Sequence, residues 1–306
     1  MTVGNPSPIV QEFMEHGRCA ACPIVDMHGH LGPAGSLYLP AAPLDKMLRA
    51  MARAGVSRIV CAPHEALLAD PGQGNRLMQE TIDRHPDTFL GYWSLNPNHP
   101  ALIERAAEDF RATRGFVGFK CLPDYHTYPI TGDRYAPALE FANAEGLLAL
   151  VHTWGGSGFD SPQMIETVAQ RYPCATFIMG HSGYGDWESA VRVAHDLPNV
   201  YLELTAVYVA HDFGNQPGGS GTPLPFASCL HVSGIIEFMV ERATSRKIVF
   251  GTDMPWYSPH YAAGSVLFAR ISDEARHDIL HRNAERLIGR GMSDAAGDSS
   301  AQSQGE

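Results

Sequence analysis

Short runs of β-branched and other apolar residues recur along the chain, separated by segments whose apolar positions fall at helical spacing. The runs predict strands over 24–27, 57–62, 89–94, 115–121, 147–152, 176–181, 200–204 and 247–251. The segments between them predict helices over 44–54, 75–84, 101–111, 135–145, 162–171, 186–195, 234–242 and 274–280, with a short turn at 284–288. Several begin at a capping residue or a proline and end near a glycine or a proline, as in SPQMIETVAQRYP. Strands that alternate with helices in this way make a parallel sheet with covering helices. Eight such units in about this length predict an α/β fold, the (β/α)8 TIM barrel, as a single domain.

No Pro/Gly/Ser-rich linker interrupts the alternation. The expected organisation is an N-terminal extension over 1–22, a barrel over 23–290 and a small, polar, disordered tail over 291–306. One insertion stands out, TAVYVAHDFGNQPGGSGTPLPFASCLH, which follows the seventh strand over 205–231. A loop that long at a strand's C-terminal end lies over a barrel's active face, and a lid is expected there.

Composition narrows the function. At 44% hydrophobic and 18% charged residues the chain is globular, and its net charge of −11 without basic clusters argues against nucleic acid or anionic lipid as a partner. The N-terminus lacks a secretion signal and no apolar run is long enough to span a membrane, so a cytoplasmic protein is expected. The six cysteines do not make a disulfide framework. Cys19 and Cys22 form one Cys-x-x-Cys, but no second pair follows at zinc-ribbon spacing, and neither a structural nor a redox role is expected of it.

The chemistry lies at the strand ends. In PIVDMHGHLG, His28 and His30 are two apart and project from one face of an extended strand, as two ligands of a metal ion would. Lys120 in GFVGFKC, His152 in LLALVHTW, His181 in TFIMGHSG and Asp253 in KIVFGTDMPW each end a later run. The intervals from His28 are 92, 32, 29 and 72 residues. With one strand–helix unit at roughly 30 residues, these side chains fall on strands one, four, five, six and eight, whose ends converge on one mouth.

This ordered set resembles the amidohydrolase superfamily of metal-dependent barrels, and most closely its amidohydrolase-related (amidohydrolase 2) branch. GYWSLNPNHP, GFKCLPDYH, APALEFANAEGLLALVHT and NAERLIG extend the resemblance over nearly the whole chain. That branch contains hydrolases, lactonases, hydratases and nonoxidative decarboxylases, so the resemblance implies a metal-dependent enzyme more firmly than any one reaction. It implies that His28, His30 and Asp253 bind one divalent ion. In single-metal members His152 completes that site and His181 assists water activation; in two-metal members His152 and His181 hold a second ion. Lys120 corresponds to a lysine that becomes a bridging carbamate in two-metal relatives, and the alternative is an ammonium that binds a substrate carboxylate.

The expected activity is hydrolysis of an amide, cyclic amide or lactone of a small molecule, with decarboxylation of an aromatic or unsaturated acid as the alternative. Asp253 takes a proton from the attacking water and passes it to the leaving group. Zinc is the expected ion, with manganese or iron as alternatives for such ligands. Substrate contacts are expected from His64, Tyr125, His126, Trp154, Tyr184, Trp256 and Tyr257, and from Tyr208 and His211 of the insertion. Arginine is sparse at these ends, which argues against a substrate with several carboxylates. The resemblance also implies a homo-oligomer.

Overall fold

The apolar runs form one parallel sheet whose strands pair in chain order. They are β1 (Ile24–Leu31), β2 (Val56–Pro63), β3 (Phe89–Leu95), β4 (Phe116–Cys121), β5 (Leu148–Trp154), β6 (Thr176–Tyr184), β7 (Val200–Glu203) and β8 (Ile248–Val249). The ring closes where the chain beyond β8 runs beside β1. Met27 N donates to Phe250 O at 2.9 Å, Asp253 N to His28 O at 2.7 Å and His30 N to Met254 O at 2.7 Å. The computed structural model describes residues 7–35, 37–207 and 232–296, and over them the architecture is the (β/α)8 TIM barrel. β8 is shorter than its apolar run because beyond Val249 the backbone leaves β7 for β1 and for Ile279.

Successive residues of these strands divide between two packed clusters. Ile59, Cys61, Phe89, Phe119, Phe177, Met179 and Phe250 belong to the large core shared with the helices. Val60, Leu90, Tyr92, Leu150, Ile178, Tyr201 and Val249 form a separate cluster inside the barrel. Both faces are therefore buried, which is why the strands read as continuous apolar runs and not as alternations. Leu287 and Ile288, from the last helix Asn283–Ala296, join the inner cluster and close the barrel at the N-terminal end of its strands.

Helices Leu44–Ala54 and Pro162–Arg171 begin and end where the sequence places them. Gly55 stops the first in the left-handed region at φ 78°, which glycine adopts without steric cost. The helix expected over 101–111 is two, Pro100–Glu104 and Ala106–Arg111, divided at Arg105. The one expected over 274–280 is Asp273–His277 followed by a π turn, Asp278–Arg282. The short turn at 284–288 is the start of helix Asn283–Ala296, so 291–296 belong to a helix and not to the tail; the tail beyond 296 lies outside the described residues.

Helices Pro8–His16, His64–Leu68, Pro123–His126 and Pro259–Leu267 were not legible in the periodicity. The first buries Ile9, Val10 and Phe13, and Phe13 meets Phe268 edge-on at 6.3 Å, so part of the N-terminal extension packs on the barrel. No described helix is long and apolar enough to cross a membrane. The lid expected over 205–231 lies outside the described residues from 208 onward, and Tyr208 and His211 with it.

One surface contact has a measurable consequence. Lys247 Nζ donates to the carbonyls of Leu197, Pro198 and Val200 at 2.6, 3.0 and 3.1 Å, holding the turn into β7. Replacing it with methionine keeps the apolar stem and removes all three donors. Chemical denaturation of Lys247→Met is expected to show a loss of about 1–3 kcal/mol; an unchanged midpoint would mean that water replaces the ammonium without cost.

Candidate metal centre

β1 ends in Asp26, His28 and His30, spaced by two, and the structure turns all three to account. Gly29 between the histidines faces the helices, where an added Cβ would lie 2.5 Å from Ile59 Cδ1, so its neighbours face the barrel. His30 Nε2 lies 2.8 Å and His28 Nε2 3.5 Å from Asp253 Oδ1. The three form a group whose ligand atoms lie within 4.8 Å of one another. The other ring nitrogens fix the tautomers. His30 Nδ1 donates to Ala62 O at 2.9 Å and His28 Nδ1 to Glu203 Oε2 at 2.8 Å, leaving an Nε2 lone pair on each ring.

These atoms fit a divalent cation. The His30 lone pair and the Asp253 carboxylate are both acceptors, and acceptors hold a separation of 2.8 Å when a proton or a cation lies between them. Burial holds His28 and His152 well below the usual imidazole range and brings His181 down to about 4, so all three are in the neutral, ligating form. Imidazole and carboxylate donors suit zinc, manganese and iron alike.

Lys120 and the remaining histidines complete the mouth. Lys120 Nζ donates to His28 Nε2 at 2.7 Å, and burial lowers its pKa to about 8. His181 Nε2 and His152 Nδ1 face one another at 2.9 Å, and the His181 ring centre lies 5.1 Å from that of His28. His181 Nδ1 is buried without a hydrogen-bond partner among the described residues. His181, Ser182 and Asp253 adopt positive φ values of 64°, 50° and 58°, a conformation that costs non-glycine residues about 1–3 kcal/mol each. Hydrogen bonds hold it in place: His181 N donates to Glu203 Oε2 at 3.1 Å, Ser182 Oγ to Glu203 O at 2.7 Å and Gly183 N to Thr153 Oγ1 at 2.8 Å.

Two aromatic walls flank these groups. On one side His64 stacks on His30 at 4.8 Å, donates Nδ1 to Gly32 O, and accepts from Trp256 Nε1 at 2.8 Å. On the other, Trp154 stacks on His152 at 5.5 Å and on Tyr184 at 4.5 Å, while Tyr125 meets His152 edge-on at 5.3 Å. His126 stands apart: its Nε2 donates to Leu67 O at 2.8 Å, tying it to helix His64–Leu68 and not to the ligand groups.

Sequence reading missed the residues that hold the ligands. Glu203, fully buried at the end of β7, gathers His28 Nδ1, His181 N, Thr205 N and Thr205 Oγ1 on one carboxylate. Asp26 accepts from His28 N, Thr252 N and Thr252 Oγ1, and burial pushes its carboxyl up to about 8. Asp160 accepts from Trp154 N and Asp124 N, holding the wall over β5. The signals were a lone acid in each of two apolar strands, YLEL and IVDM.

A TIM barrel with imidazoles, a lysine and a carboxylate gathered at its C-terminal mouth is the form of a metal-dependent barrel enzyme. The amidohydrolase family model (Amidohydro_2) matches residues 25–290, and the chain belongs to that family and so to the amidohydrolase superfamily of enzymes. No curated protein matches the chain in sequence. Among solved structures it is similar to an uncharacterized TIM-barrel protein from Bordetella bronchiseptica, at 21% identity and a TM-score of 0.66 over 88% of this chain and 99% of that one. It is similar also to a putative 2-pyrone-4,6-dicarboxylic acid hydrolase from Pseudomonas putida, at 18% identity and a TM-score of 0.65 over 88% and 98%. A third is 5-carboxyvanillate decarboxylase from Novosphingobium aromaticivorans, complexed with manganese and a nitrobenzoic acid, at 12% identity and a TM-score of 0.63 over 88% and 96%.

Proposed function

We propose that the chain is a metal-dependent hydrolase that cleaves a lactone, cyclic amide or amide of a small planar molecule. His28, His30 and Asp253 hold one ion, and His152 and His181 hold a second. The observation that carries this reading is the second donor pair. Two imidazole nitrogens on one tetrahedral zinc lie about 3.3 Å apart, given bonds of about 2.0–2.1 Å, and His152 Nδ1 and His181 Nε2 are 2.9 Å apart.

When bound, such ions supply Lewis acidity toward a carbonyl oxygen and make hydroxide available near neutral pH. Asp253 accepts the proton of the attacking water and delivers it to the leaving oxygen or nitrogen. Glu203 and Ala62 hold His28 and His30 in the ligating tautomer. Reaction of the neutral Lys120 amine with carbon dioxide would form an N–C bond and release one proton, and the carbamate would supply an anionic oxygen donor beside His28. The Trp154–Tyr184 stack offers a flat face to a planar ring. The Pseudomonas putida protein, named for hydrolysis of a pyrone, supports this substrate class.

A second reading is decarboxylation of a hydroxybenzoic acid, with Lys120 as an ammonium against the substrate carboxylate. The same flat wall and the similarity to the 5-carboxyvanillate decarboxylase favour it. Manganese is present in that relative, and imidazole and carboxylate donors accept it as readily as zinc.

Elemental analysis of protein prepared with bicarbonate and without chelator separates the two. The hydrolase reading expects the wild type to carry one more ion per chain than Lys120→Ala, and to open at least one member of a panel of aromatic and unsaturated lactones. Equal metal content in the two proteins, with carbon dioxide released from a hydroxybenzoate, would replace it with the decarboxylase.

A further inference from the structure

A second set of donors gathers at the opposite end of the barrel. Cys22 stands two residues before β1 and is 2% exposed. His277 ends helix Asp273–His277, and His281 lies in the π turn Asp278–Arg282 that follows. One ligand atom from each of the three lies within 4.8 Å of the other two. From Ile24 at the start of β1 to His30 is about six residues at about 3.3 Å each, so this cluster is roughly 20 Å from the candidate metal centre.

The two imidazoles are disposed as ligands. His277 Nδ1 donates to His281 Nε2 at 3.0 Å, a separation near that of two nitrogens on one tetrahedral zinc, about 3.3 Å, so that a cation in place of that proton would meet both rings. His281 Nδ1 lies 3.2 Å from Glu285 Oε1 and donates to it, which leaves the Nε2 lone pair directed at the cluster. A carboxylate behind a histidine in this way orients many metal ligands. The π turn that carries His281 is a rare distortion of helices that recurs at functional sites.

Sequence spacing agrees. Cys22 N donates to Cys19 O at 3.4 Å, closing the Cys-x-x-Cys turn, while Cys19 Sγ donates to Glu12 Oε2 at 2.9 Å. Cys-x-x-Cys and His-x-x-x-His are both spacings of compact zinc sites, here brought together from opposite ends of the chain.

We propose that Cys22, His277 and His281 form a structural zinc site that clasps the segment before β1 to helix Asp273–His277 and the π turn that follows it. Binding releases the Cys22 proton to solvent and forms one zinc–sulfur and two zinc–nitrogen bonds, with no change of oxidation state. The site requires nothing of the chemistry at the barrel mouth, where no cysteine is among the ligands.

Cobalt(II) is the probe. The protein, reduced with a phosphine and stripped of metal, is titrated with cobalt while the near-ultraviolet thiolate-to-cobalt band is followed. Cobalt at the mouth gives no such band, because the donors there contain no sulfur, and Cys22→Ser separates this site from the exposed thiol of Cys174. It is expected to saturate at one thiolate-bound cobalt per chain and to collapse on adding zinc. It should vanish in Cys22→Ser, fall at least tenfold in apparent affinity in His281→Gln, and persist in Cys19→Ser and Asp253→Asn. Zinc should raise the melting temperature of stripped Asp253→Asn more than that of the double variant carrying Asp253→Asn and Cys22→Ser. Absence of the band in the wild type, or its survival in Cys22→Ser, would overturn the proposal. Should Cys22→Ser fail to fold, an affinity unchanged in His281→Gln would overturn it equally.

Discussion

Asp253→Asn is expected to fold as the wild type does and to lose about 10²- to 10⁴-fold in kcat/KM, the range for removing a general base. The substitution keeps size and one amide oxygen while removing the charge and the proton acceptor. Its backbone demands are met, since asparagine tolerates the left-handed region as aspartate does, and Asp253 sits there at φ 58°. The main-chain bonds that place it, Asp253 N to His28 O at 2.7 Å and Trp256 N to Asp253 O at 2.8 Å, do not involve the side chain. Steady-state kinetics on the best substrate of the panel, with metal content measured on the same sample, is the test. A variant within tenfold of the wild type at equal metal loading would remove Asp253 from proton transfer.

Gly251→Ala is expected to damage the centre without touching a ligand. A Cβ at this position would lie 1.9 Å from Glu203 Oε1, 2.6 Å from Glu203 Cδ and 2.8 Å from Thr205 Oγ1. Glu203 is packed on all sides and cannot retreat without releasing His28 Nδ1, His181 N and Thr205 N together. Overpacking of this kind costs about 1–3 kcal/mol, and loss of a carboxylate behind a ligating histidine costs about 10- to 100-fold in metal affinity. Gly289→Ala is the matched control: nothing lies within 4 Å of its added Cβ, and in an exposed helical position the change is expected to stabilise by roughly 0.5–1 kcal/mol. Metal titration and thermal melting of the two variants side by side test this. Unchanged metal affinity in Gly251→Ala would show that Glu203 is not what orients His28.

The candidate ligands were legible because each breaks an apolar run at its C-terminal end. Asp26 and Glu203 break runs in the same way, yet their partners are not neighbours in sequence. Glu203 acts on His28 and His181, and Asp26 on Thr252, across contacts that exist once the barrel has closed. His126, beside the β4 end, likewise has a partner distant in sequence, its Nε2 donating to the Leu67 carbonyl. The Cys-x-x-Cys was set aside for want of a second pair, and the structure brings its Cys22 beside His277 and His281 from near the end of the chain.

The barrel, its strand count and the polar side chains at its mouth were legible along the chain. Short apolar runs at a regular interval are a local consequence of burying both faces of a parallel sheet, and local patterns survive in one dimension. How those side chains are held is a property of the folded chain. Which nitrogen of each histidine is free is set by Ala62 O and Glu203, and the pairing of His152 with His181 is set by adjacent strand ends. Tautomer, distance and desolvation depend on groups brought together by chain closure, and a linear pattern carries no record of them.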